Sequence, residues 1–317
     1  MFSKCKIFLL CFPVLLIGTA RAQLPKVTFA PHWLPQAQFA GYYVAQERGF
    51  YKEAGLDVEI IHPSANIQVT NMLREGRVDV ISLFLITAIS AKQQGLDLVN
   101  FAQISQHSAI YIVTKKSGGL DELSKLNGKR VGIWKSGFDE IPKALMSEKG
   151  YKVEWVPILS TVNLFMIDGI EAMTVMSYNE YDAIINCGVN EDELNVFPVA
   201  DYGYDIPEDG LYCMASTFEE RKEDMKKFFD ATIKGWEFAS ANRSIALNIV
   251  LDRMKKAHIP ANRAHQEWML EKTLELIDLK NNNIKRGELL ESDYKKAASI
   301  IKGLNYTYKD FYRLLTE

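Results

Sequence analysis

The sequence predicts an α/β protein built as two lobes with a ligand cleft between them, and three observations carry that prediction. Strand-like and helical stretches alternate from Lys26 to Thr114. A second alternating block follows the turn residues KKSGG, Lys115 to Gly119. One short unit also recurs in each block, as LREGRVDVIS (Leu73 to Ser82) and MIDGIEAMTVMS (Met166 to Ser177). In both copies a helix stops at glycine, an apolar strand follows, and a serine ends it before another helix. Strand–helix alternation means a mainly parallel sheet covered on both faces, and one such sheet per block gives two lobes.

In the first block, Lys26 to Phe29 reads as a strand, Phe39 to Gly49 as a helix and Leu56 to Ile61 as a strand. Asn66 to Glu75 is helical, Val78 to Ser82 a strand, Thr87 to Gln94 a helix, and Asp97 to Thr114 two further strands. In the second, the strands are Lys129 to Trp134, Val153 to Ile158 and Ala172 to Ser177. The helices between and after them are Asp139 to Lys149, Asn163 to Asp168 and Glu180 to Cys187. DYGYDIPEDG, from Asp201, is rich in turn formers, and from Phe218 the chain reads as helical to its end. The breaks fall at Asn242, His258 to Ala261, Asn281 to Gly287 and Gly303 to Thr307. The first lobe is therefore expected to take residues 24–114 and 204–317, and the second residues 115–203, with crossings near Thr114 and Tyr202.

The N-terminus predicts export. MFSKCK is short and basic, Ile7 to Gly18 is apolar, and Ala20-Arg21-Ala22 supplies the small-x-small pattern of a cleavage site. The apolar run falls short of the ~20 residues that span a bilayer, so residues 1–22 read as a signal peptide cleaved near Ala22, not an anchor. The rest is expected to work in the periplasm or outside the cell, without embedding in the membrane. Formal net charge is −3 with no basic block, which argues against a nucleic-acid partner. Cys187 and Cys213 remain after cleavage; in an oxidising compartment they either pair or stay as buried thiols.

No local motif points to catalysis. There is no glycine-rich nucleotide loop, HExxH or GxSxG, and the five histidines lack metal-ligand spacing. No catalytic residue, cofactor or metal is expected. Signals for binding are richer. In open α/β sheets ligands lie beyond the carboxyl ends of strands, which directs attention to Ser82 and to Ser177 through Glu180. The loop HWLPQAQ places Trp33 and Gln36 to Gln38, Gln38 among them, after the first strand. The rings of Phe39, Tyr43 and Phe50 share a helical stripe that suits the core, whereas Trp33 and Tyr42 suit stacking on a flat ligand. WKSGFDE puts Trp134, Ser136 and Gly137 before a helix, as an acceptor-binding turn or as a plain N-cap. Tyr178, Asn179 and Glu180 combine a ring, an amide and a carboxylate, a set that matches the acceptor and donor edge of an aminopyrimidine. Asn179 also suits an N-cap, and the helix dipole is expected to keep Glu180 ionised.

The string WLPQAQFAGYYVAQERGFYKEAGLDVEI strongly resembles the opening of the THI5-like (NMT1-type) substrate-binding family, and GRVDVIS, KLNGKRVGIW and MSYNEY resemble later family segments in the right order. The resemblance covers roughly residues 26 to 240. It implies the type II periplasmic-binding-protein fold and an exported protein delivering a thiamine-precursor pyrimidine, such as formylaminopyrimidine, to the permease of an ABC importer. A sensor on the same fold is a second reading. A third is the pyrimidine synthases of the same family, which use pyridoxal phosphate and a histidine of their own. The positions matching the synthases' lysine and histidine are Leu83 and Thr87 here, and in place of their cysteine cluster stands Cys213 alone. The expected mechanism is capture by closure of the two lobes.

Overall fold

The computed structural model describes residues 23–64, 67–134, 138–159, 161–281 and 283–315. The expected signal peptide, Ser136 and Gly137 lie outside the described residues. The first block forms β1 (Lys26–Ala30), α1 (Ala40–Glu47), α2 (Phe50–Glu53), β2 (Asp57–Ile60), α3 (Val69–Arg74), β3 (Val80–Phe84), α4 (Leu85–Gln93) and β4 (Leu98–Gln103). The second forms β5 (Ile110–Lys115), β6 (Arg130–Trp134), α5 (Glu140–Glu148), β7 (Glu154–Ile158), α6 (Asn163–Met166), β8 (Ala172–Met176), α7 (Glu180–Asn186) and β9 (Leu194–Pro198). The chain then returns as β10 (Asp209–Met214), followed by α8 (Ala215–Ala241), α9 (Arg243–Lys256), α10 (Arg263–Ile277), α11 (Glu291–Ile300) and α12 (Tyr308–Phe311).

Two five-stranded sheets result, in the orders β2-β1-β3-β10-β4 and β7-β6-β8-β5-β9. In each, three parallel strands are joined by an antiparallel fourth: β10 against β3 in one, β5 against β8 in the other. β3, β4 and β8 are buried along their whole length, so their sequences show no apolar–polar alternation, and the polar residues they carry, Ser82, Asn100, Gln103 and Thr174, are buried too. The first crossing differs from expectation. Ile110–Lys115 pairs with β8 and β9, so the chain leaves the first sheet over residues 104–109 and not near Thr114. Two strands also went unread. β9 ends in proline, and β10 opens on Asp209-Gly210, which reads as a turn although the strand lies between β3 and β4.

The crossing segments are tied to each other. The Gln103 side-chain amide donates to the carbonyls of Ser105, Glu208 and Asp209, each at 3.1 Å, and Glu208 accepts the Ala109 N–H at 2.6 Å. The first sheet also carries α8, which packs on α1 through Gly41 and Gly235. A β-carbon at 235 would stand 2.1 Å from the Gly41 carbonyl oxygen, so the two backbones meet at a distance that only glycine permits. Cys187 is exposed after α7, Cys213 is buried in β10, and both are free; neither the disulfide nor the pair of buried thiols is formed. Among the described residues no helix is long and apolar enough to cross a membrane.

Candidate functional site

The first sheet contributes the loop that follows β1. His32 stands at its start, where its backbone N–H donates to Ser82 Oγ at 3.1 Å and its Nδ1 lies 3.0 Å from the same oxygen. Burial, reinforced by His62, pushes the His32 imidazole down to about 3, so the ring is neutral near pH 7. Gln38 follows in the 3-10 turn Ala37–Phe39 and reaches the other lobe: its Nε2 donates to the Tyr178 hydroxyl at 3.1 Å. The same nitrogen lies 3.4 Å from Asp209 Oδ2. Asp209 begins β10, and burial pushes its carboxyl up to about 7 against the smaller opposing effect of the Gln38 hydrogen bond. Its Oδ1 has no hydrogen-bond partner and lies 3.5 Å from His32 Nδ1.

The second sheet contributes the three residues between β8 and α7. Glu180 is buried with both oxygens engaged: Oε2 accepts the Met176 N–H at 2.9 Å, and Oε1 accepts from Asn179 Nδ2 at 2.6 Å. Its carboxyl is raised by burial, with those hydrogen bonds opposing, a shift opposite in direction to the one expected from the helix dipole. Asn179 makes no capping hydrogen bond and sits at φ −128, ψ −87, so the N-cap alternative is set aside. Its amide is spent on Glu180 and on His265 instead. Trp33 and Trp134 meet edge to face across the cleft, 6.3 Å between ring centres and 89° between planes.

These residues enclose a cavity of ≈ 60 Å³ between the sheets, lined by Trp33, Gln38, Trp134, Tyr178, Asn179 and Glu180 together with His32, Gln36, Phe138 and Met176. Two expected residues lie elsewhere. Tyr42 is core, packed on Phe29 at 4.6 Å and Trp236 at 5.8 Å, because the helix turns it inward with Phe39 and Tyr43. Ser82 is fully buried inside β3, which continues to Phe84 instead of ending at the serine, and it acts by holding His32. The sequence reading missed His32 and Phe138. His32 stands two residues after β1 and Phe138 four after β6, so the carboxyl-end rule applied to Trp33 would have found them.

A larger groove of ≈ 870 Å³ lies behind the Trp33 loop, between Leu34, Pro35, His62 and α9. Its walls come from residues 34–64 and 245–259, with none from the second sheet, whereas the smaller cavity draws on both sheets. The cavity between the sheets is the candidate ligand site.

Residues 36–246 match the family described as NMT1/THI5 like. The formylaminopyrimidine-binding protein of Halalkalibacterium halodurans is 25% identical over 262 residues, covering 78% of this chain and 77% of that protein. The 4-amino-5-hydroxymethyl-2-methylpyrimidine phosphate synthase of Schizosaccharomyces pombe is 28% identical over 107 residues, covering 34% of this chain and 31% of the synthase. Among solved structures, the periplasmic aliphatic sulphonate binding protein SsuA of Escherichia coli superposes with a TM-score of 0.65 at 14% identity, over 80% of this chain and 84% of that one.

Proposed function

This chain belongs to the NMT1/THI5-like family, and from that premise we propose that it is an exported solute-binding protein that captures a small aminopyrimidine of the formylaminopyrimidine type and presents it to the permease of an ABC importer. The observation that carries this reading is the Asn179–Glu180 pair beside the rings of Trp33, Trp134 and Tyr178. Flat apolar faces take the ring of a heterocycle, while the second amide hydrogen of Asn179 and the remaining lone pairs of Glu180 address its ring-nitrogen and N–H edge. Among the described residues that line the cavity the polar groups include uncharged amides, a phenol, an imidazole and one carboxyl, a set able to pair with the donors and acceptors of a neutral heterocycle.

Closure follows from the same arrangement. A ligand touching Trp33 on one lobe and Tyr178 to Glu180 on the other favours the closed state by the contacts absent from the open one. The present cavity, ≈ 60 Å³, is well below the roughly 300 Å³ at which ligand pockets begin. The ligand therefore enters a wider cleft, and the lobes close on it less far than they do here. Synthase chemistry has little to work with: Leu83 is buried in β3 where a Schiff-base lysine would be required, and Cys213 is buried in β10.

A thermal-shift series across formylaminopyrimidine, hydroxymethylpyrimidine, thiamine, an alkanesulfonate and nitrate tests the assignment. An aminopyrimidine at 100 times its Kd should stabilise the fold by about 2.7 kcal/mol, and the anions should not. Stabilisation by the sulfonate with none by the pyrimidines would overturn it.

A further inference from the structure

The C-terminal helices belong to the first lobe's side of the molecule, yet α10 touches the second lobe at the segment that lines the cavity. It is held on the first side by Gln266, whose Oε1 accepts the Ala37 N–H at 2.8 Å. Toward the second lobe, Trp268 donates its indole N–H to the Ser177 carbonyl at 2.9 Å. Between these two contacts stands His265. Its Nδ1 lies 2.5 Å from Asp182 Oδ2, and its Nε2 lies 3.1 Å from Asn179 Oδ1. The family match ends at residue 246, before α10 begins, so the α10 side of each of these contacts lies outside the matched residues and their partners lie within them.

We propose that His265 is a positioning residue of the ligand site: from outside the cavity it holds the Asn179 amide in the direction that makes Glu180 a hydrogen-bond acceptor. The argument is one of donors and acceptors. Asn179 Nδ2 donates to Glu180 Oε1, which leaves its carbonyl facing His265. An amide carbonyl only accepts, and so does the Asp182 carboxylate oxygen, which also takes a hydrogen bond from Asn186 at 2.7 Å. Both ring nitrogens must then donate, which makes the ring an imidazolium. The alternative turns the amide over. A neutral His265 then accepts from the Asn179 amide, the carbonyl meets Glu180, and Glu180 must carry a proton to donate. The two arrangements hold the same number of protons and differ in whether one sits on His265 or on Glu180. Asp182 tips the balance toward the imidazolium, and therefore toward a Glu180 that accepts ligand N–H groups.

The charged groups facing the pair are Asp182 and Glu180 on α7; Glu208, before β10, and the phenol of Tyr178, two residues before Glu180, also interact with Glu180. Arg243 of α9 is engaged by Glu271, further along α10. That Asn179 and Glu180 face the ligand rests on the reading above; the proton relay does not.

The test therefore uses no ligand. In protein labelled with carbon-13 at glutamate δ-carboxyls, the Glu180 signal is assigned by its loss in Glu180→Gln and followed against pH. His265→Phe should raise the proton affinity of Glu180 by at least roughly ten-fold. Asp182→Asn should shift it the same way by less. Trp268→Phe, which deletes a cross-lobe hydrogen bond but leaves His265 in place, should not move it. His265→Gln, a neutral donor, replaces the phenylalanine variant if that fails to fold, with the same expectation. An unmoved Glu180 titration in the His265 variant overturns the proposal, as does an equal shift in Trp268→Phe, which would report general loosening. Failure of aminopyrimidines to bind would leave this result standing, so the two readings fail separately.

Discussion

The two sheets share one strand plan and part company in the connections at their carboxyl ends. After β3 the helix α4 begins at once, at Leu85, so Ser82 stays inside the ladder, paired with Leu211. After the corresponding β8, three residues intervene before α7, and those residues carry Tyr178 and Asn179 into the cavity. The first sheet instead contributes the loop after β1, where nine residues separate Ala30 from α1 and place His32, Trp33 and Gln38. A repeated topology thus fixes where a ligand can lie but leaves open which connection supplies the contacts. That is decided by the length of chain between strand and helix.

A glycine in each lobe is closely approached, by backbone in the first and by a side-chain end in the second, and this difference gives the largest expected effect. Gly235→Ala would drive a methyl group against backbone, 2.1 Å from the Gly41 oxygen, and should cost about 3 kcal/mol in urea unfolding. Gly132→Ala in the second sheet would meet the end of the Ile170 side chain at 2.5 Å, which can rotate away, and should cost about 1 kcal/mol. Equal costs would show that the close approach of α1 and α8 carries no special weight.

The next effect compares the two strand ends by calorimetry. Glu180→Gln should weaken binding of formylaminopyrimidine by about 2 kcal/mol, through loss of a buried charge-assisted acceptor. Ser82→Ala removes the oxygen that holds His32 and should lower stability by about 1 kcal/mol while changing affinity less. A larger affinity loss in the serine variant would reverse the assignment of roles.

The alternating pattern made most of the first lobe legible, because a proline or glycine (Pro25, Gly55, Gly76, Gly95) precedes each of the strands β1 to β4. It failed at β9 and β10. Both are antiparallel strands whose existence depends on partners far away in sequence, Ile110–Lys115 for one and β3 with β4 for the other. Their local residues, with Pro198 at the end of one and Gly210 near the start of the other, read as turns. Within the site, Trp33 and Asn179 were found by position after strands. Tyr42 was misjudged because a helix with rings on several faces hides which ring points inward; packing on Phe29 and Trp236 decides it. No local signal announces His265, which reaches Asn179 across 86 residues of sequence.

Asp209 gives the third effect, and its sign is fixed by the direction of its shift. Its carboxyl titrates at about 7 in the folded chain and near 4 when unfolded, so folding favours the protonated form. The contribution is stabilising below pH 4 and is lost as pH rises through about 7. His32 and His62, pushed down to about 3 and about 4, act oppositely over much of that window, so the wild-type profile alone is uninformative. The difference between wild type and Asp209→Asn isolates one group. Wild type should gain on the variant by about 1.4 kcal/mol per pH unit as pH falls from 7 toward 4, measured by chemical denaturation. Parallel profiles would mean that Asp209 is ionised and solvated in the folded protein.

The smallest effect concerns the two tryptophans, one from each lobe. Trp33 keeps 40% of its surface exposed and meets Trp134 edge to face at 6.3 Å, so its ring is not needed to fill the core, whereas the half-buried Trp134 also packs on the core of the second sheet. Trp33→Ala should leave the melting temperature nearly unchanged and weaken aminopyrimidine binding by about 1 kcal/mol, the usual worth of an aromatic contact. The choice between neutral and anionic ligands should not move, because a ring face supplies contact area and no fixed charge. Trp134→Ala should weaken binding alike but also lower the melting temperature, since its ring packs on the core of the second sheet. If both rings act only when the lobes have closed on a ligand, the double variant should lose less than the two single losses added together, since either deletion already spoils the shared contact. Strict additivity would mean that each ring touches the ligand independently of closure. An unchanged affinity in both single variants would remove the rings from the site and leave recognition to Tyr178, Asn179 and Glu180 of the second lobe.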